Sequence, residues 1–275
     1  MRLIDSHAHL QAQAFASDAQ EVLAQARLAG VERVLVPGWD LDSSRASVAL
    51  ARSSQVHASA GIHPHVASGA DDDSWAAVVE LADDPTVVAI GEAGLDYDRG
   101  FSPRAAQLVN LRRHLLLGRA LAKPVILHCR SRAGASDAQH DLLAELARAG
   151  VGTSRWPTPD GRPPALLHSF SGPVTYAERA VEMGLAISFS GLVFRRGEEA
   201  STEVARLVPA DRLLVETDSP YLSPPGASRR RNEPHWVSVT AAWLAETRGD
   251  DPVWLGAQLV RNYDAIFGGR VNAIR

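Results

Sequence analysis

The feature that most constrains this chain is an alternation. Short apolar runs, rich in Val, Ile and Leu and bounded by Gly or Pro, alternate with longer stretches whose apolar residues recur every three to four positions. "RLID", "ERVLVPG", "VHASAGIH", "TVVAIGEAGLD", "PVILHCR", "PALLHSF", "LAISFSG" and "DRLLVETDSP" read as strands. The periodicity after them predicts helices over 17–29, 42–53, 72–82, 103–121, 135–149, 173–183, 198–207 and 235–247, with a last one over 252–267 that ends at a Gly-Gly pair. Strand–helix units about thirty residues apart predict a parallel sheet, and eight of them predict closure into a (β/α)8 TIM barrel. An open doubly wound sheet is the alternative. No low-complexity linker interrupts the pattern, so residues 1–275 are expected to form one barrel domain.

In a barrel the C-terminal ends of the strands make one rim, and active sites sit there. The chain has ten histidines, and His7, His9, His63, His65, His128 and His168 fall at or just past strand ends. Glu92 and Asp218 share that position. Side chains two apart on a strand share a face. Ile126 with His128, Leu166 with His168, Val88 and Ile90 with Glu92, and Leu214 with Glu216 and Asp218 therefore each read as a polar group capping an apolar interior line. Cys129, the sole cysteine, is out of phase with His128 and reads as a small buried apolar residue.

Converging imidazoles and carboxylates are costly to bury without a compensating cation. The count suggests two divalent ions, one held by His7, His9 and Asp218 and one by His128 and His168, with Glu92 bridging. Paired cations about 3.5–4 Å apart can clamp a phosphoryl group and activate water, which makes Asp218 the candidate base. Lys123, the sole lysine, begins a strand and so cannot supply a carbamylated bridge at the rim. Imidazole donors suit zinc or manganese better than magnesium. His63 and His65 exceed the ligand count and are expected to contact phosphate or protonate a leaving group. Arg130 and the run Arg229, Arg230 and Arg231 are candidate phosphate cations. Asp5 and Glu216 lie one layer below the ligands and are expected to orient the histidines. Tyr97, Phe170, Phe194 and Tyr221 are candidates for stacking on bases.

The net charge of -4 excludes a global basic field, so any contact with nucleic acid must be local. No run of about 18 apolar residues predicts a membrane span, and the N-terminus lacks a signal-peptide pattern. A single cysteine fits a cytoplasmic location.

"DSHAHL", "GIHPH", "IGEAGLDY", "PVILHCR", "LLHSFSG" and "ETDSPYLSP", followed by "RRRNEP" and "VRNYDAIFG", occur in one order across the chain. In this combination the sequence resembles the TatD family of metal-dependent deoxyribonucleases, barrels related to the amidohydrolases. The resemblance implies metal ligation by His7, His9, Glu92, His128, His168 and Asp218, and 3′–5′ exonuclease action on single-stranded or frayed DNA ends, with RNA as a further substrate. It also implies magnesium-supported activity and a setting in DNA repair, and a monomer is the expectation for oligomeric state. Two segments depart from the family pattern, "VGTSRWPTPDGRPPA" before the sixth strand and "SRAGASDA" after the fifth, and both are expected to overhang the rim. Hydrolysis of a small ester, amide or phosphodiester is the alternative activity, since fold and metals do not choose the substrate. A non-catalytic metal-binding scaffold is a third reading.

Overall fold

Eight strands pair in parallel and in chain order in the computed structural model, which describes residues 1–156, 158 and 161–268. They are β1 (Leu3–Asp5), β2 (Val31–Pro37), β3 (His57–Ala60), β4 (Val87–Asp96), β5 (Val125–Arg130), β6 (Ala165–Leu167), β7 (Ala186–Phe189) and β8 (Leu213–Val215). The helices between them are α1 (Ala19–Leu28), α2 (Leu41–Ser54), α3 (Asp72–Leu81), α4 (Arg104–Leu121), α5 (Asp137–Ala149), α6 (Val174–Glu182), α7 (Ala200–Leu207) and α8 (Val237–Arg248), with α9 (Pro252–Phe267) last. Local chemistry sets several ends. Asp40 and Ser43 form a reciprocal capping box on α2, and Asp71 and Asp251 accept the Ser74 and Trp254 N–H groups at the starts of α3 and α9. Gly150 and Gly249 end α5 and α8 in the left-handed region.

The sheet closes on itself just above β1 and β8. Ser6 N–H donates to the Val215 carbonyl at 3.1 Å, and Ala8 bridges Ser219 in parallel register. Asp218 N–H donates to the His7 carbonyl at 2.9 Å, and His9 N–H to the Ser219 carbonyl at 2.7 Å. This seam excludes the open-sheet alternative. Ile126, Leu166, Ile187 and Leu214 are among the fully buried residues of the sheet.

The segment before β6 is not at the rim, contrary to expectation. A connection from a helix to the next strand returns to the side where strands begin. Trp156 accordingly packs near Gly118 in α4 and lines a small cavity with Lys123 and Pro124, at the start of β5. Pro157, Pro159 and Asp160 lie outside the described residues, as does Gly269, the second glycine of the pair after α9. Lys123 donates to the Ala82 and Val87 carbonyls at the same end. The segment from β5 to α5 runs from strand to helix and lies on the rim side as expected.

One polar device under the rim fixes the exit of β3. The His114 ring in α4 accepts Ile62 N–H through Nε2 at 3.0 Å and donates through Nδ1 to the Asn110 carbonyl at 2.8 Å. Asn110 donates to the Ile62 carbonyl at 2.6 Å. The segment carrying His63, Pro64 and His65 is thereby tied to α4. The pattern requires a neutral ring, and burial pushes His114 from the ordinary 6.5 down to about 4. Between these values the unfolded chain binds a proton that the folded ring refuses. The stabilisation is therefore full above pH 6.5 and is lost as pH falls toward 4, by about 3 kcal/mol. Denaturant titrations of the wild type and His114→Gln at pH 7 and pH 5 should show a steeper acid loss in the wild type. Equal pH dependence in both would remove this assignment.

Candidate metal centre

The three residues that follow the seam's first hydrogen bond carry His7 and His9 inward. Nε2 of His7 and Nε2 of His9 lie 3.2 Å apart. His7 Nε2 is 3.2 Å from Glu92 Oε2 and 3.7 Å from Asp218 Oδ1, and His9 Nε2 is 3.3 Å from Asp218 Oδ1. On the other side of Glu92, Oε1 lies 2.8 Å from His168 Nε2, 3.1 Å from His128 Nδ1 and 3.2 Å from His63 Nε2. One carboxylate thus turns one oxygen to each of two donor groups. His7, Glu92 and His168 form one set of converging atoms, His7, His9 and Asp218 a second, and His63, His65 and His128 a third.

Strand alternation alone does not place the carboxylates. β4 has one residue more than β5 between Ile90, which pairs with Val125, and Ala93, which pairs with Leu127. The expected line of Val88, Ile90 and Glu92 is therefore interrupted below Glu92. The alternation that matters runs upward, through Glu92, Gly94 and Asp96, with Gly94 beside His128. β8 ends at Val215, and Asp218 sits three residues beyond with φ of 54°. Aspartate tolerates that left-handed conformation better than most residues. Its N–H is held by His7 and its carbonyl by Tyr221 N–H at 2.8 Å.

The supporting carboxylates divide differently from expectation. Glu216 Oε1 lies 3.2 Å from His168 Nδ1, which leaves Nε2 of that ring facing Glu92. Among the described residues Asp5 makes no hydrogen bond or ion pair with an imidazole ring. It accepts the His7 and Thr217 N–H groups and the Thr217 hydroxyl, so it shapes the backbone of the seam. Burial pushes Asp5 up to about 8 against those donors. Asp96, which the sequence reading passed over, orients a ring. Its Oδ2 lies 3.2 Å from His128 Nε2 and 2.7 Å from His65 Nε2. The signal for it was present, since Asp96 is in phase with Glu92 in "GEAGLD".

The charge balance of the cluster rests on proximity. Burial works against the Glu92 carboxylate, but His168, His63 and His7 outweigh it and hold the group well below its ordinary range. Burial likewise opposes a charge on His168, and Glu92 and Glu216 overcome it, raising that ring well above 6.5. His7 is lowered by burial and by His168, and burial brings His63 down to about 4. The residues fit divalent cations. His7 and His9 present facing Nε2 atoms to the space bordered by the Glu92 and Asp218 carboxylates, while among the described residues their buried Nδ1 atoms have no hydrogen-bond partner. Such a convergence of lone pairs is favourable with cations or protons between them.

The cluster floors a cavity of about 720 Å³. Arg130 reaches its wall but donates through Nε to Asp98 at 3.0 Å. Tyr221 lines the mouth, whereas Phe170 is buried against Tyr176 and Phe189, Phe194 faces Trp243, and Tyr97 donates to Asp141. Trp39, Arg99 and Phe101 also line the mouth and were not singled out from sequence. Arg231 is held by Asp18 and Glu233 and lies over the Phe15 ring, and Arg229 and Arg230 are exposed outside the cavity lining. Cys129 is half-buried rather than buried as expected, and desolvation pushes its thiol up to about 12.

Comparison with known proteins places this geometry. A family model described as TatD-related DNase matches residues 4–268. A Cronobacter sakazakii protein named 3′-5′ ssDNA/RNA exonuclease TatD is 39% identical over 272 residues, covering 96% of this chain and 97% of that one. A Klebsiella pneumoniae protein of the same name is 37% identical over 284 residues, covering 99% of this chain and 100% of its own. Among solved structures, the TatD homolog YJJV of Escherichia coli superposes with a TM-score of 0.85 at 28% identity, covering 97% and 98% of the two chains. A lactonase engineered for organophosphate hydrolysis shares the fold, with a TM-score of 0.64 at 16% identity.

Two outcomes are expected. A cation bound through His168 would displace the proton that Glu92 and Glu216 favour on that ring, so the calorimetric heat of binding should vary with the ionisation enthalpy of the buffer. A buffer-independent heat would contradict that protonation state. Asp96→Asn should keep the fold, judged by circular dichroism, and weaken cation affinity about 10- to 100-fold, as loss of a carboxylate behind a ligand histidine does.

Proposed function

The chain belongs to the family of TatD-related DNases, and from that premise we propose that it is a metal-dependent 3′–5′ exonuclease acting on single-stranded DNA ends, with RNA as a further substrate. The observation that carries the reading is Glu92, whose two oxygens each face a separate group of imidazoles at the floor of an open cavity. His7, His9 and Asp218 would hold one divalent cation, and His128 and His168, whose ring nitrogens lie 3.2 Å apart, would hold a second, with a Glu92 oxygen turned to each group. When bound, such ions stabilise charge on phosphoryl oxygens and lower the pKa of water. The nitrogen-rich donor set favours zinc or manganese for tight occupancy, with magnesium able to support turnover.

The protein's own groups divide the remaining work. Asp218 borders the cavity with an oxygen available to accept the proton of an attacking water. His128 turns Nδ1 toward Glu92 and donates its Nε2–H to the Asp96 carboxylate, which fixes the tautomer. His63 accepts His65 N–H through Nδ1, so in the neutral ring the proton is on Nε2, which faces Glu92 Oε1 at 3.2 Å and donates to that carboxylate. A hydrogen-bond donor suits His63 better than a proton source, because burial keeps the ring neutral at pH 7. Arg130 stands at the wall, and Arg229 and Arg230 are available further out for the backbone of a longer strand. Among the described residues no helix is long and apolar enough to cross a membrane, and the lone cysteine supports work in the cytoplasm.

The test uses protein stripped of metal and reloaded separately with magnesium, manganese or zinc, incubated with end-labelled single- and double-stranded DNA. Single-stranded DNA should shorten stepwise from the 3′ end. Glu92→Ala and Asp218→Asn should each lower kcat by at least about 100-fold. Protein that binds metal, keeps its fold and cuts no nucleic acid, yet hydrolyses small esters or amides, would replace this reading with the second one.

A further inference from the structure

Phe101 is a large aromatic residue that the fold leaves 66% exposed. It stands on the segment joining β4 to α4, edge-on to His65 with ring centroids 4.8 Å apart, and it lines the cavity over the metal centre. Two residues earlier, Arg99 lines the same cavity. Among the described residues no carboxylate takes its guanidinium, whereas Arg130, Arg104 and Arg231 are each paired with an acid. An uncovered ring beside an unpaired guanidinium, at the lip of a phosphodiester site, matches the two chemistries of a nucleotide. We propose that Phe101 and Arg99 form the subsite for one nucleotide flanking the scissile phosphate, Phe101 as the platform for its base and Arg99 as the cation for its phosphate. This rests on the nuclease reading above and names what the substrate presents to this side of the mouth.

The segment is built rather than loose. Asp96 Oδ1 accepts the N–H groups of Asp98 and Arg99 at 3.0 and 2.8 Å. Gln107 accepts Asp96 N–H and donates to the Asp96 and Ser102 carbonyls. Ser102 donates to the His65 carbonyl at 2.9 Å and accepts Ser68 N–H at 3.1 Å. Both flanks of Phe101 are therefore anchored before substrate arrives, which lowers the ordering cost of binding. The other oxygen of Asp96 meets His128. One carboxylate thus registers the subsite to the metal centre. Trp39 and Tyr221 stand against His9 at 5.2 and 5.9 Å, whereas Phe101 stands against His65, and Arg130 on the same wall is already paired with Asp98. A stacked base needs a π face and no sequence-specific donor, which suits an enzyme that trims any sequence.

The experiment uses the full chain loaded with its working metal and three fluorescent oligothymidylates. One is complete, one carries a tetrahydrofuran abasic residue at the 3′ terminus, and one carries it at the next position. Affinity is read by anisotropy, and KM and kcat by cleavage. Phe101→Ala should raise Kd and KM on the complete strand about tenfold. That factor should collapse toward one on whichever abasic strand lacks the base that Phe101 stacks, and Phe101→Trp should restore wild-type KM. Arg99→Ala should keep its defect on all three strands and lower the salt slope of binding by about one. Unchanged KM in Phe101→Ala, or an equal defect on all three strands, overturns the subsite while leaving the nuclease reading intact. A wild type that neither binds nor cuts any of the strands overturns both. Both side chains are exposed, so a folding failure does not stand in for either result.

Discussion

The hydrogen bond from Asp218 N–H to the His7 carbonyl, with Ser6 to Val215 and His9 to Ser219 beside it, is where the barrel closes and where its chemistry begins. These backbone bonds join the first strand to the last across more than two hundred residues of chain. They lie among the residues that carry His7, His9 and Asp218. Closure and assembly of this part of the centre are therefore one event. Asp5 belongs to the same event, because its carboxylate ties His7 N–H to Thr217.

Around that seam the protein balances buried charge with short reciprocal contacts. Glu92 is 2% exposed and would be costly to ionise alone. Four imidazoles within 3.2 Å of its oxygens make the ionised form the stable one, and they are the same groups that can ligate cations. Cations bound there would displace protons from the same set of atoms. The third group, His63 with His65 and His128, is linked outward through Asp96 to the loop bearing Arg99 and Phe101. The centre is therefore continuous with the mouth through side chains that each serve two partners.

Helix bounds fall within three positions of the periodicity because each helix buries one face and its caps are local. His128 and His168 were legible for the same reason, standing at the ends of short strands whose apolar neighbours alternate. Glu92 was legible as a rim carboxylate, but the extra residue in β4 was not, since a bulge leaves no mark in hydrophobic periodicity. Asp96 shares the phase of Glu92 and could have been found by carrying the count one step further. The stacking candidates fared unevenly. Phe170 and Phe194 face helices in this fold, and a strand-end aromatic carries no local mark that separates packing from exposure.

What the sequence determined by itself was the number of strand–helix units, the parallel barrel they imply and the side of the barrel on which the histidines gather. Those properties follow from periodicities of two and of 3.6 residues, which are local and repeat along the chain. Tertiary structure alone decided that Trp156, in the segment before β6, packs beside Gly118 and Lys123, that Arg231 is consumed by Asp18 and Glu233, and that among the described residues Arg99 remains unpaired near Phe101. Each of these depends on which distant side chain occupies the neighbouring space. A guanidinium is free or spent according to a partner that can be two hundred residues away, and no pattern within a single segment encodes that distance.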